Sequence, residues 1–153
     1  MDKLHPIITL IPQKLESVNV IVAKGKSMSY FDTIRLAKRS SSLCSTINLA
    51  IAAYEGFTPN EEEGKILLEE MMKMIELTER QLALMVETKP VFEKLWVVGY
   101  VKKDIAKLKD ASAQLAKTMV AASPEPLKAQ GEEWEERRSK AFEEAMTAYG
   151  VGA

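Results

Sequence analysis

The sequence predicts an all-α fold, a single antiparallel bundle of about five helices spanning residues 1–153. Three observations carry that expectation. Every long segment repeats its apolar residues at helical spacing, and none shows sustained period-two alternation. Helix start and stop signals recur between the segments. The connections are short, which folds successive helices back on one another.

The first helix is expected over about residues 6–24, with Ile7, Ile8, Ile11, Leu15, Val18, Ile21 and Val22 facing inward. Pro12 lies inside it and should kink it or split off its first turn. Gly25 is a plausible stop, and Lys24-Gly25-Lys26-Ser27 reads as a tight exposed turn. The second helix is expected over about 29–55, where Ser29 and Asp32 have capping-box spacing. Leu36, Leu43, Ile47 and Ala50 form its stripe.

The third is expected over about 59–88, with Thr58 as the cap, Pro59 in the first turn and Glu61 three residues after the cap. Glu61, Glu62 and Glu63 also suit the positive end of the helix dipole. Its run Ile66–Ile75 has an unusually broad apolar face: Ile66, Leu67, Met71, Met74 and Ile75, widened by Leu68 and Met72. Pro90 should end it, since the residue before a proline is pushed out of helical geometry. The fourth is expected over about 90–122, with Phe92, Leu95, Trp96, Gly99, Ile105, Leu108, Leu115 and Met119 inward. Ser123-Pro124 should cap the fifth, over about 124–149, which carries Leu127, Trp134, Ala141, Phe142, Ala145, Met146 and Tyr149.

A chain of 153 residues, 46% apolar and 28% charged, can form a core without disulfides or metals. Twenty-one basic side chains against 22 acidic ones create no global field toward nucleic acid or an acidic membrane. The distribution is uneven: residues 1–54 hold seven basic and three acidic side chains, whereas 61–70 and 132–144 lean acidic. No apolar run approaches the roughly 18 residues of a membrane span. The start Met-Asp-Lys-Leu-His-Pro lacks the long apolar core of a secretion signal, so composition leaves open a cytoplasmic protein or a mature chain with an added Met.

The residues for common chemistries are missing. His5 is the sole histidine and sits beside Pro6 near a terminus, so no nucleophile–His site is expected. Zinc-type sites lack ligands, the Glu-x-x-His pairs of di-metal bundles do not occur, and the seven glycines form no phosphate loop. Paired glutamates such as Glu69-Glu70 and Glu143-Glu144 read as solvated helix faces. Cys44, the single cysteine, reads as a small core residue. Arg137-Arg138 and Lys102-Lys103 are too sparse for nucleic-acid binding. No catalytic residue, cofactor or metal is expected.

What remains is apolar capacity. Met71, Met72, Met74 and Met85, half of the eight methionines, lie on the third helix. Pattern alone favours an ordinary core for such a stripe, although Met also suits a variable apolar guest. Three hydroxyl residues interrupt apolar stripes: Ser40 between Leu36 and Leu43, Thr78 between Met74 and Leu82, and Ser112 between Leu108 and Leu115. The simpler reading is that each bonds a carbonyl one turn earlier. The other is that they meet the polar head of an apolar guest. A chain of about sixteen carbons, gaining roughly 0.8 kcal/mol per buried methylene, would reach about micromolar affinity after association costs.

Several blocks then resemble a known family. They are P-I-I-T-L-I-P-Q-K-L-E-S-V-N, R-L-A-K-R-S-S-S-L-C-S-T-I-N-L-A-I, L-T-E-R-Q-L-A-L-M-V-E-T-K-P-V-F, V-K-K-D-I-A-K-L-K-D-A-S-A-Q-L-A-K-T-M-V and the closing A-F-E-E-A-M-T-A-Y-G. Together they span residues 6–149 and are similar to the fungal hydrophobic surface binding protein A family, which includes the lipid-binding domains of cell-wall galactomannoproteins. The resemblance implies a secreted or wall-associated, non-enzymatic five-helix bundle that adsorbs to hydrophobic surfaces or holds long-chain fatty acids between helices. This chain departs in being more charged and Met-rich, and in lacking an Asn-x-Ser/Thr site.

The expected function is therefore non-catalytic binding of a long-chain fatty acid or similar apolar molecule among helices two to five. The expected wall is Leu36, Leu43, Ile47, Met71, Met74, Ile75, Leu82, Leu108, Leu115 and Phe142, with Ser40, Thr78 and Ser112 as head-group contacts. The alternative is an interaction module whose Met-rich third-helix face docks a partner protein or a second copy, giving a homodimer.

Overall fold

A computed structural model describes residues 1–150; residues 151–153 lie outside the description. Five helices follow one another: α1 (Leu4–Val22), α2 (Tyr30–Ala53), α3 (Glu61–Lys94), α4 (Val98–Ala122) and α5 (Glu125–Ala148). A short 3-10 turn, Gly25–Ser27, joins α1 to α2, and Gly25 adopts a positive φ of 54° there.

Consecutive helices run antiparallel, but they do not pack in chain order. The neighbours are α1–α2, α2–α4, α4–α5, α5–α3 and α3–α1, which close a five-membered ring. Within it α3 and α5 run parallel. The Tyr149 hydroxyl donates to the Met85 carbonyl at 2.6 Å and the Lys89 ammonium to the Ala148 carbonyl at 3.0 Å. On their outer side the Arg137 guanidinium pairs with Glu79. The Asn19 side-chain amide donates to the Leu77 carbonyl at 3.2 Å and ties α1 to α3. One apolar core runs through the ring.

Local rules explain most helix ends. At α2, the Ser29 side chain accepts from the Asp32 N–H while the Asp32 carboxylate accepts from the Ser29 N–H. That is the anticipated box. The α3 start differs from expectation: Asn60, not Thr58, is the cap, and Asn60 and Glu63 form the reciprocal box. Both frames offer a Glu at the third position, Glu61 after Thr58 and Glu63 after Asn60, and Asn is the stronger cap. Ser123 closes α4 instead of opening α5, its hydroxyl donating to the Met119 carbonyl at 2.7 Å. Pro124 begins α5 without a side-chain cap bond.

Both interior prolines are absorbed. α1 remains one helix through Pro12, and α3 runs through Pro90 to Lys94. An interior proline costs about 3 kcal/mol. Burial of each large apolar side chain returns about 1.5–3 kcal/mol. Ile8, Ile11 and Leu15 flank Pro12 and are buried, and so is Phe92 just beyond Pro90. The turn after α3 then falls at residues 95–97, and it overturns a second expectation. Trp96 and Gly99 face solvent, not the core, and Trp96 holds a φ of 60°. Ile66 is also exposed, so the broad face of α3 is narrower than the sequence suggests.

Gly64 shows how closely the opposite end is packed. A Cβ there would lie 2.8 Å from Pro124 Cδ and 2.9 Å from Leu127 Cδ1. Only glycine lets the start of α3 approach the start of α5 this closely.

Candidate functional site

A cavity of about 30 Å3 lies at the centre of the ring, and all five helices wall it. Eight of the expected wall and head-group residues converge on it: Ile47 from α2, Met71, Met74, Ile75 and Thr78 from α3, and Leu108, Ser112 and Leu115 from α4. Ile11 and Leu15 of α1, Ala116 and Met119 of α4, and Arg138 of α5 complete the wall.

The remaining expected residues are placed elsewhere. Leu43 and Phe142 are buried in the core without reaching the cavity, Leu36 lies beside a groove between α2 and α4, and Leu82 beside one between α3 and α5. The restriction to helices two to five is also corrected, because α1 supplies two side chains. α1 closes the ring against α3 as well as α2, an arrangement that chain order does not suggest.

The hydroxyls behave differently from one another. Ser112 Oγ donates to the Lys109 carbonyl at 3.2 Å, as a helical serine can, but it also accepts from Arg138 Nη1 at 3.0 Å. Thr78 is buried on the cavity wall. Ser40 is buried away from the cavity, and its Oγ has no hydrogen-bond partner among the described residues.

Arg138 is the residue that sequence reasoning missed. It is only 5% exposed. Its Nε and Nη2 donate to the Glu135 carboxylate at 2.6 and 2.9 Å, and its guanidinium stands 5.4 Å over the Phe142 ring. A guanidinium has five N–H groups. The bonds to Glu135 and Ser112 use three, leaving two without a partner among the described residues. The signal was present in the pattern, since Arg138 stands four residues after Trp134 and four before Phe142 and so occupies the apolar stripe of α5.

Larger hollows lie outside the ring. The α3–α5 groove of about 470 Å3 is rimmed by Glu79, Arg137, Lys140 and Glu144. It is wider but charged and open, whereas the central cavity is apolar apart from Thr78, Ser112 and Arg138. Elsewhere, Cys44 is half-buried, and burial followed by the nearby Asp104 pushes its thiol pKa up, which disfavours the reactive thiolate. Among the described residues no cluster of His, Cys, Asp and Glu could hold a metal ion, and no helix is long and apolar enough to cross a membrane.

Solved structures share the architecture. The structure of AfMP4p in complex with palmitic acid aligns with a TM-score of 0.89 at 13% identity, covering 94% of this chain and 95% of that one. Ligand-binding domain 1 of the Penicillium marneffei MP1 protein, complexed with arachidonic acids, aligns at 0.85 and 14% identity, covering 95% of each chain. Domain 2 of the same protein, with multiple arachidonic acids, aligns at 0.86 and 12% identity over 99% and 96%. At such identities the likeness speaks to the fold. No curated protein matches the sequence. The model of hydrophobic surface binding protein A matches residues 6–121, most of the chain and four of its five helices, and on that match this chain belongs to the hydrophobic surface binding protein A family.

Proposed function

We propose that this protein is a non-catalytic carrier of a long-chain fatty acid, held at the centre of the helical ring with its carboxylate on Arg138. One observation carries the reading: an apolar cavity bounded by every helix has, on its wall, a buried guanidinium with two N–H groups to spare. Bundles of similar architecture were solved with palmitic and arachidonic acids, which supports the ligand class. Family membership supports a secreted or wall-associated setting.

Size sets the mechanism. The cavity of about 30 Å3 holds a water or two, whereas sites for drug-sized ligands occupy roughly 300–1,000 Å3. Loading therefore requires the ring to widen by an order of magnitude in internal volume. Met71, Met74 and Met119 suit that demand, because unbranched thioethers repack with little strain. Each methylene admitted contributes about 0.8 kcal/mol. The carboxylate would take up the free Arg138 donors in a charge-assisted bond worth about 1.5–3 kcal/mol. The interaction-module alternative is not supported, since Met71, Met74 and Met85 are buried by the chain's own helices.

Titration of delipidated protein with palmitate and with the matching sixteen-carbon alcohol tests this. Arg138→Met should weaken palmitate binding by about 10- to 100-fold while leaving the alcohol nearly unchanged. Met74→Trp should fill the cavity and weaken both, with little loss of fold. Unaltered palmitate binding in Met74→Trp would remove the cavity from the account.

A further inference from the structure

The end of the bundle carrying the α3–α4 turn is chemically unlike the rest of the surface. Every exposed aromatic side chain among the described residues lies there: Trp96 at 91% exposure, Phe31 at 76%, Tyr100 at 71%, and Tyr30. Tyr30 and Tyr100, together with Ile34, wall one groove of about 300 Å3 between α2 and α4, so two separate stretches of chain build one patch. Phe31 adjoins Tyr30, and Trp96 stands four residues before Tyr100 in the turn that leads into α4.

Two further observations indicate what the patch meets. Trp96 holds a φ of 60°, a conformation that a bulky side chain adopts only against resistance. Strain of that kind collects at functional positions, and here it accompanies the most exposed large apolar side chain among the described residues. The second observation is charge. Lys26, Lys38, Lys94 and Lys103 lie within or next to the patch in sequence, are exposed, and form no ion pair among the described residues. The acidic groups nearby are less available. Asp32 is held by Lys24 and Arg35 and Asp104 is half-buried in the groove, while Glu93, which stays exposed, has Lys89 at 3.9 Å.

We propose that this end docks onto an anionic lipid bilayer, with Trp96, Tyr100 and Phe31 entering the headgroup layer and the four lysines facing lipid phosphates. Aromatic rings with a polar edge settle at the membrane interface, and basic side chains beside them gain from the negative leaflet. The docking deepens the carrier reading by naming the surface that brings the protein to lipid, and it rests on that reading only for its purpose.

The test uses the full chain and flotation with vesicles of phosphatidylcholine alone or mixed with about one-third phosphatidylglycerol. With Trp134→Phe, Trp96 becomes the single tryptophan, and its emission should shift to shorter wavelength on anionic vesicles. Trp96→Asn combined with Phe31→Ser should cut vesicle binding roughly tenfold or more. Asn accepts positive φ more readily than Trp, so Trp96→Asn leaves the turn intact. Lys26→Gln with Lys94→Gln should weaken binding to anionic vesicles only, and added salt should do the same.

Equal binding to neutral and anionic vesicles, an unshifted Trp96, or a sedimentation result in which the patch joins two copies and Trp96→Asn separates them would overturn the proposal. Palmitate titration in vesicle-free solution is run in parallel. Patch variants should bind palmitate normally there, so failure of docking and failure of the carrier reading are told apart.

Discussion

The two halves of the ring are packed differently. Toward the start of α3, the interior is walled by Met71, Met74 and Met119 around a central gap. Toward the α3–α4 turn it is filled by Phe92, Phe142, Leu82 and Ile105, all with almost no exposure. Aromatic and branched side chains have few rotamers and lock against one another, whereas Met adapts. One half therefore holds the ring closed, and the other can yield to a guest. The ends complete the contrast. The yielding half closes over Gly64 and Pro124 in tight contact, while the solid half ends in the exposed aromatic patch.

The largest test of this contrast is truncation on each side. Phe142→Ala should cost about 3–5 kcal/mol, measured by chemical denaturation. Met74→Ala, beside an existing cavity, should fall near the lower end of the roughly 2–5 kcal/mol range for such changes and should not reduce palmitate uptake. Similar losses at the two positions, together with reduced uptake in Met74→Ala, would break the division into halves.

A smaller effect is expected at the caps, which lie at opposite ends. Asn60→Ala removes the box that starts α3 in the yielding half and should cost about 1 kcal/mol. Fraying of that first turn should appear as faster amide exchange near Glu63, with the solid half unaffected.

The smallest effect at neutral pH is expected from titration of the other cap. The Ser29 N–H, followed by Lys24, pulls the Asp32 pKa down to about 2, from an ordinary value of 3.8. A carboxylate lowered on folding contributes its stability above the unfolded value and loses it as pH falls through the folded one. The contribution of Asp32 should thus be intact above about pH 4–5 and lost progressively toward pH 2. Melting temperatures across that range should fall more steeply for the wild type than for Asp32→Asn. Parallel curves would show that Asp32 is not the responsible group.

Much of this was legible in the residues. Helical periodicity, the Ser29 box and the glycines located five helices in order, and eight of the thirteen expected site residues do line the cavity. The misses share a physical origin. A stripe of apolar residues shows that a helix face is covered, not what covers it. Phe142 and Leu82 satisfy that criterion as well as Met74 does, yet only Met74 meets the gap. Arg138 is absent from the expected site because its cross-helix partner, Ser112, meets it only once α4 and α5 are side by side. Trp96 was read as core because a turn at residues 95–97, displaced by the passage of α3 through Pro90, rotates it outward.

The sequence by itself determined the helices and their order along the chain, because hydrogen bonding and capping act within a few residues. The tertiary structure alone decided the ring order, the place of α1 in the wall, the burial of Arg138 and the exposure of the aromatic end. Those depend on which distant faces meet, and many pairings of five amphipathic helices would satisfy the same local rules.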